Sequence, residues 1–185
     1  TGSWSLEVPN DDIVTWTSSY MGMAATTGGT LSTPTYSTDS PFVFQQATLT
    51  LGGVETCVMD VTISGDNSLY ARQLTCGYKV SDFGQHDITG SCSKEFEDLT
   101  VYDAFIAGTP AAFSMVLTAG ASSTLTVTGQ VYYREASPNV SGPSVVEQPV
   151  NFAFRHATSD ASTFSVQLTN TVATCLLYTS DAADE

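Results

Sequence analysis

An antiparallel β-sandwich or barrel with one short helix is the fold class this 185-residue chain predicts, on three observations. Segments in which apolar and polar residues alternate recur at short spacing, separated by Gly- and Pro-bearing turns, which argues for about seven or eight strands. A single segment, beginning near Asp98, changes to helical spacing. Parallel winding needs a long crossover for each strand pair, and the chain holds too few helical segments to supply them.

The first 41 residues, Thr1 to Pro41, are rich in Thr, Ser and Gly and show no sustained alternation. They read as the end of a preceding unit plus a linker, with Met23 to Thr35 the most loop-like part. Asp11 and Asp12 before Ile13 predict a short capped helix over Asp12 to Tyr20. The main β-domain is expected over 42–174. Phe42, Phe44, Ala47, Leu49 and Leu51 alternate around a slip at Gln45–Gln46, and Gly52–Gly53 forms a turn. Val54 to Ile63 predicts the next strand, ended by Gly65, Asp66 and Asn67. Leu74 to Val80 reads as a short strand and Phe83 to Gln85 as a turn.

Asp87 to Glu95 is an extended run with Ile88, Ser91 and Ser93 in alternation. It leads into a helix predicted over Asp98 to Ala107. Leu99, Tyr102, Phe105 and Ile106 fall on one helical stripe and are expected to pack on the sheet. Asp98 is the expected N-cap, Glu97 adds negative charge near the positive helix end, and Gly108 supplies the C-terminal cap before Pro110. A helix placed over an open sheet edge or one end of the sandwich would blunt it. Strands follow at Ala112–Leu117, Leu125–Tyr133, Val150–Phe154 and Phe164–Leu168, with Phe164, Val166 and Leu168 expected inside.

The chain carries 19 acids against five Lys and Arg, a formal charge of −14. Phosphate gripping needs clustered cations, whereas Arg72, Lys79, Lys94, Arg134 and Arg155 are scattered. The last eleven residues, Cys175 to Glu185 (CLLYTSDAADE), read codon for codon as an in-frame translation of a transposase sequencing adapter. They are expected to be an unstructured artefact. Removing Asp181, Asp184 and Glu185 leaves sixteen acids against five bases, a charge of −11. With Thr rather than Met at position 1, the chain reads as a gene fragment cut at both ends. No apolar run approaches the roughly 20 residues that span a membrane.

Cys57, Cys76 and Cys92 form neither a CxxC pair nor an even set, so free thiols are the expected state. A Cys57–Cys76 or Cys76–Cys92 bridge stays open in an oxidising compartment. His86 and His156 lie far apart without partners at metal-site spacing. No G-x-S-x-G elbow, phosphate-binding glycine loop or EF-hand spacing occurs. Glu95, Glu97 and Asp98 read as a strand end and a cap rather than a carboxylate pair, and Asn139–Val140–Ser141 as a chance glycosylation match. No enzyme, cofactor or metal is expected.

From about Phe42 to Asn170 the order of segments resembles the C-terminal β-domain of siphovirus-type tail tube (major tail) proteins. The matching stretches are PFVFQQATLTLGG, then VMDVTIS followed by GDNSLY, then CGYKVSDFGQHDITGSCSKEFEDLTVYDAFIAGT. They continue through AAFSMVLT, TLTVTGQVYYREASPNVSG, VVEQPVNFAFRHA and FSVQLTN. The resemblance implies a non-enzymatic virion protein, assembled in the host cytoplasm, whose rings of identical subunits stack into a hollow tail. Sheets of neighbouring subunits would join edge to edge around a lumen that DNA traverses without specific binding. It also implies tape-measure and terminator proteins as further partners, and no membrane.

On that reading Glu55, Asp60 and Glu95 are the candidate lumen acids, and Met23–Pro41 and Pro138–Gln148 the arms reaching neighbours. A contractile injection system shares the fold. The alternative is an Ig-like or carbohydrate-binding module of a surface or virion tip, which calls for an exposed aromatic platform from Trp4 or Trp16. A secreted β-sandwich hydrolase would need an acid–base constellation the sequence lacks. Phe105→Asp is expected to destabilise the fold by several kcal/mol, because it places an unpaired charge in a packing position. A thermal melt followed by circular dichroism checks this, and an unchanged midpoint refutes it.

Overall fold

The computed structural model describes residues 2–20, 40–73, 75, 79–82, 84–120, 122–138, 145–156 and 164–170. Its strands are β1 (Ser3–Val8), β2 (Thr15–Ser19), β3 (Ala47–Leu51), β4 (Val54–Glu55), β5 (Asp60–Asp66), β6 (Tyr70–Gln73), β7 (Lys79–Asp82), β8 (Asp87–Glu95), β9 (Ala111–Ala119), β10 (Ser123–Glu135), β11 (Glu147–Phe154) and β12 (Phe164–Thr169). One helix, α1 (Thr100–Ala107), joins β8 to β9. Ten strands make one antiparallel sheet in the order β2-β1-β5-β8-β11-β10-β9-β3-β4, with β12 also on β10; β6 and β7 form a separate hairpin.

β10 is the strand that turns this sheet into two layers. One edge pairs β9 from Ser123 to Val131. The other edge is shared, with β12 beside Thr124–Gly129 and β11 beside Val131–Glu135. The two halves of the sheet therefore face one another, and their alternating apolar residues meet between them. Phe113 of β9 lies 5.4 Å from Phe152 and 5.2 Å from Phe154 of β11, and Phe164 of β12 lies 4.9 Å from Phe154. Burying each such ring is worth about 1.5–3 kcal/mol, and each edge-on or offset aromatic pair adds about 0.5–1.5 kcal/mol. Leu6, Ile63, Met115, Leu117, Val127 and Val131 complete the same buried cluster.

Several expectations change. Residues 12–20 form no helix: Thr15–Ser19 is β2, and β1 and β2 belong to the main sheet through β5 rather than to a preceding unit. Thr15, Trp16 and Thr17 favour extended backbone, and a ready edge on β1 outweighs the capping signal of Asp11 and Asp12. The slip at Gln45–Gln46 is a 3₁₀ turn, Phe44–Gln46, whose Gln46 side chain accepts the Val43 N–H at 3.1 Å. Val54–Ile63 is broken into β4 and β5, with the Thr56 N–H donating back to Leu49 O at 2.8 Å. Where one strand was expected at Leu74–Val80, β6 ends before it and β7 (Lys79–Asp82) covers only its last two residues. Residues 21–39, Cys76, 139–144 and the tail 175–185 lie outside the described residues.

The helix starts at Thr100, not Asp98, with Leu99 at the N-cap position and no side-chain cap bond. Asp98 instead accepts the Thr100 N–H at 2.9 Å from just outside the helix. That start sets which side faces β10. Val101 is buried (7% exposed) and Phe105, one turn on, packs against the core, while Leu99 (53%) and Ile106 (66%) turn to solvent. Tyr102 is half-buried with its ring 6.4 Å from Phe105. Gly108 adopts φ 63°, and Thr109 N–H closes the helix end on Ala104 O. On β12, Phe164 packs on Phe154 and Trp4, but Val166 and Leu168 further along the strand are exposed.

Gly90 sits between Ile63 and Phe152 in the register of β5, β8 and β11. A Cβ there would run into the Phe152 ring. Gly90→Ala is expected to cost about 1–3 kcal/mol through overpacking, read as a lowered urea midpoint with an unchanged slope.

Candidate functional site

Alternation in six adjacent strands leaves one face apolar and makes the other a surface of hydroxyls and carboxylates. The pairing register arranges that outer face in transverse rows. One runs Thr15, Glu7, Thr62, Ser91, Asn151, Glu135 across β2, β1, β5, β8, β11 and β10. The next runs Thr17, Ser5, Ser64, Thr89, Ala153, Tyr132, and a third Ser19, Ser3, Asp66, Asp87. At the opposite end Asp60 pairs with Ser93, and Glu95 with Glu147. The intervening rows are apolar, for example Trp16, Leu6, Ile63, Gly90, Phe152, Tyr133. A shift of one residue in any pairing would exchange the two faces.

Hydroxyls on this face bond one another across strands. Ser3 and Ser19 Oγ lie 2.8 Å apart, and Ser64 Oγ and Thr89 Oγ1 3.3 Å apart. Asp60 Oδ1 accepts the Ser93 N–H at 2.9 Å, and Asn151 Nδ2 donates to Glu135 Oε2 at 2.7 Å. A bulge between Tyr133 and Glu135 of β10 re-aims Arg134 onto the face. It lines a shallow hollow of about 290 Å³ with Thr62, Ser91 and Asn151. Arg134 Nη2 donates to Asp87 Oδ2 at 3.5 Å, and Arg155 Nη1 to Asp87 Oδ1 at 3.2 Å. Glu7, Asp60, Asp66, Asp87, Glu95, Glu135 and Glu147 thus outnumber the two guanidiniums on this surface.

Of the three expected acids, Asp60 and Glu95 share this face, and both are exposed. Glu55 does not join them. It lies on β4, the last strand of the sheet path, opposite Thr50. The sequence pattern did not single out Glu7, Asp66, Asp87 and Glu147. Their signal is the phase they share with Ser and Thr in the alternation, which needs the pairing register to align one strand with the next.

The underside holds the remaining polar chemistry. Lys94 (5% exposed) and Gln148 are cross-strand neighbours on the core side. Gln148 Nε2 donates to Ala136 O at 2.6 Å, while its Oε1 has no partner among the described residues. Burial pushes the Cys92 thiol up to about 12; the Asp60 charge adds to this and Lys94 opposes it. Burial, then the charge of Cys92, pushes the Tyr133 hydroxyl up to about 12. The Thr100 N–H, then its hydroxyl, hold the Asp98 carboxyl below the usual range, with burial opposing and Lys94 assisting.

Among the described residues Cys57 is exposed, Cys92 is buried and both are free; no three His, Cys, Asp or Glu side chains gather as metal ligands. His86 and His156 are exposed. Trp16 stacks on Trp4 at 4.8 Å and 4°, and Phe164 stacks on Trp4 at 5.2 Å, so Trp16 is the half-exposed member of the three. No described helix is long and apolar enough to cross a membrane.

The family model described as "Phage tail tube protein" matches residues 1–154. No curated protein matches. Thirteen chains of solved structures do. One belongs to the virion of a native gene transfer agent particle: 12% identity, TM-score 0.49, covering 66% of this chain and 96% of that one.

Cys92 and Tyr133 both have raised folded-state values, so the stability they contribute is complete below their unfolded values and is lost as pH rises. For Cys92 the loss runs from 9.0 to about 12 and for Tyr133 from 10.0 to about 12. Cys92 is expected to remove about 1.4 kcal/mol per pH unit within its window. The Tyr133 hydroxyl, half-buried and partly screened by water, removes less. Urea midpoints measured across that alkaline range check this, and Cys92→Ala should flatten the part of the loss that begins first.

Proposed function

The chain belongs to the phage tail tube protein family, and from that membership we propose that its hydroxyl and carboxylate face lines the bore of the tube. The protein is a structural component of the virion tail. A tail tube is a multi-subunit assembly, so the surfaces of this sheet divide between contacts with other copies and the channel.

The match over residues 1–154 carries this reading, because it spans β1 through β11 and therefore every strand that builds the face. The chemistry of the face supports the assignment to the bore. Duplex DNA carries one charge per roughly 1.7 Å of axis. A wall of exposed carboxylates repels it, and hydroxyls exchange hydrogen bonds with water without fixing a phosphate. A wall of free Lys and Arg would retain the DNA. Asp60 and Glu95 are proposed as bore acids together with Glu7, Asp66 and Glu147, and Glu55 as a residue of the subunit border.

The outer edges of β2, β4 and β12 are unpaired among the described residues. Free strand edges invite pairing with another chain, and pairing with further copies closes them. The partners proposed are other copies of the chain first, then the tape-measure and terminator proteins of the same tail; the role is non-enzymatic. The carbohydrate-binding alternative asks for an open aromatic platform, whereas Trp4 is stacked by both Trp16 and Phe164.

Negative-stain microscopy of the purified full-length gene product is expected to show annular particles stacked into tubes. Dispersed monomers at high concentration would overturn the reading.

A further inference from the structure

We propose that Asp87 masks Arg134 and Arg155, so that neither of these guanidiniums on the conducting face is free to bind DNA. The inference rests on the bore assignment above and adds a residue on which its low grip depends.

The cations of this chain are few enough to follow one by one. Arg72 and Lys79 belong to the separate β6–β7 hairpin. Lys94 points to the core side of β8. Arg134 and Arg155 are the two described cations that reach the hydroxyl face, and both end on the same carboxylate. This convergence is built into the backbone. Arg134 gets there from β10 through the bulge after Tyr133, across β11, to Asp87 on β8. Arg134 leaves β10 between the register positions of Phe152 and Asn151, whose β8 partners are Gly90 and Ser91, so its side chain slants along the strands as well as across them to reach Asp87. Ala153, the β11 residue in the row between Thr89 and Tyr132, is small enough to leave the way clear. Arg155 follows the end of β11, where its N–H is fixed to Gln130 O at 3.0 Å.

Stability does not explain the arrangement. The three side chains are 40–49% exposed, and ion pairs that open to water add little to folding. Their effect on charge is larger. An unpaired guanidinium forms a two-pronged bond with a phosphate that ammonium groups do not match. With both guanidiniums turned to Asp87, and with Asp66 as the register partner of Asp87, the face keeps its negative sign at the one place where described cations reach it.

The test uses the full chain, first as unassembled subunits with a short fluorescent DNA duplex at low salt, read by anisotropy. Asp87→Asn is expected to bind the duplex about tenfold more tightly, with a log–log salt slope steeper by about two, one for each phosphate that a freed guanidinium neutralises. Asp103→Asn on α1 removes the same charge without freeing an arginine and is the reference. Asp87→Asn combined with Arg134→Gln and Arg155→Gln, which also removes two positive charges, should bind no more tightly than that reference.

No tightening beyond Asp103→Asn, or a tightening that survives the triple variant, overturns the mask. Circular dichroism verifies folding, and Asp87→Ser carries the test should Asp87→Asn misfold. Assembled tubes then separate the mask from the bore assignment. Nuclease-protected DNA retained by Asp87→Asn tubes supports both. Binding that nuclease removes leaves the mask standing and places the face outside the channel.

Discussion

The contact on which this molecule depends is that of Phe113 with Phe152 and Phe154, formed across β10 by two strands that do not pair with each other. It holds the two halves of one continuous sheet face to face. Without it the apolar rows of β1, β5, β8 and β11 would have no opposing layer, and a ten-stranded sheet with one greasy side would be open to water. Single-sheet alternation and two-layer packing are thus one constraint seen twice: the sheet must bend at β10 because each half has only one face fit to bury.

The opposite face follows from that commitment. Once the odd or even positions of a strand are given to the core, the remaining positions are free of packing demands. Here they are Ser, Thr, Asp and Glu, bonded laterally and exposed. The glycines on the core side serve the same division. Gly65 and Gly90 leave room for the rings of Trp4 and Phe152 to lie flat across the neighbouring strand, which keeps large side chains inside a thin layer. The packed side and the acidic side are thus opposite faces of the same strands.

The strands were readable in the sequence where alternation was long and unbroken: β8, β9, β10 and β11 fall close to where it places them. It misled where local signals opposed a tertiary offer. Asp11 and Asp12 look like a helix start, yet β1 supplied an edge that Trp16 and its neighbours could join. Leu99, Phe105 and Ile106 share a stripe on paper, yet a helix beginning two residues later turned Leu99 and Ile106 outward and buried Val101. Asp60 and Glu95 were found as surface acids, while Asp87 was not singled out, because its role comes from Arg134 and Arg155, 47 and 68 residues away.

By itself the sequence determined that the chain is β-built, acidic, poor in cations and furnished with one short helix ended at Gly108, since composition and local patterning are properties that any pairing must respect. Only the tertiary structure decided which strands neighbour which, that Ser3–Ser19 belongs to the same sheet, and that seven carboxylates share one surface. Alternation gives every strand two faces but leaves the phase between strands open; hydrogen-bond register and the bulge in β10 set that phase, and with it the side on which the charge gathers.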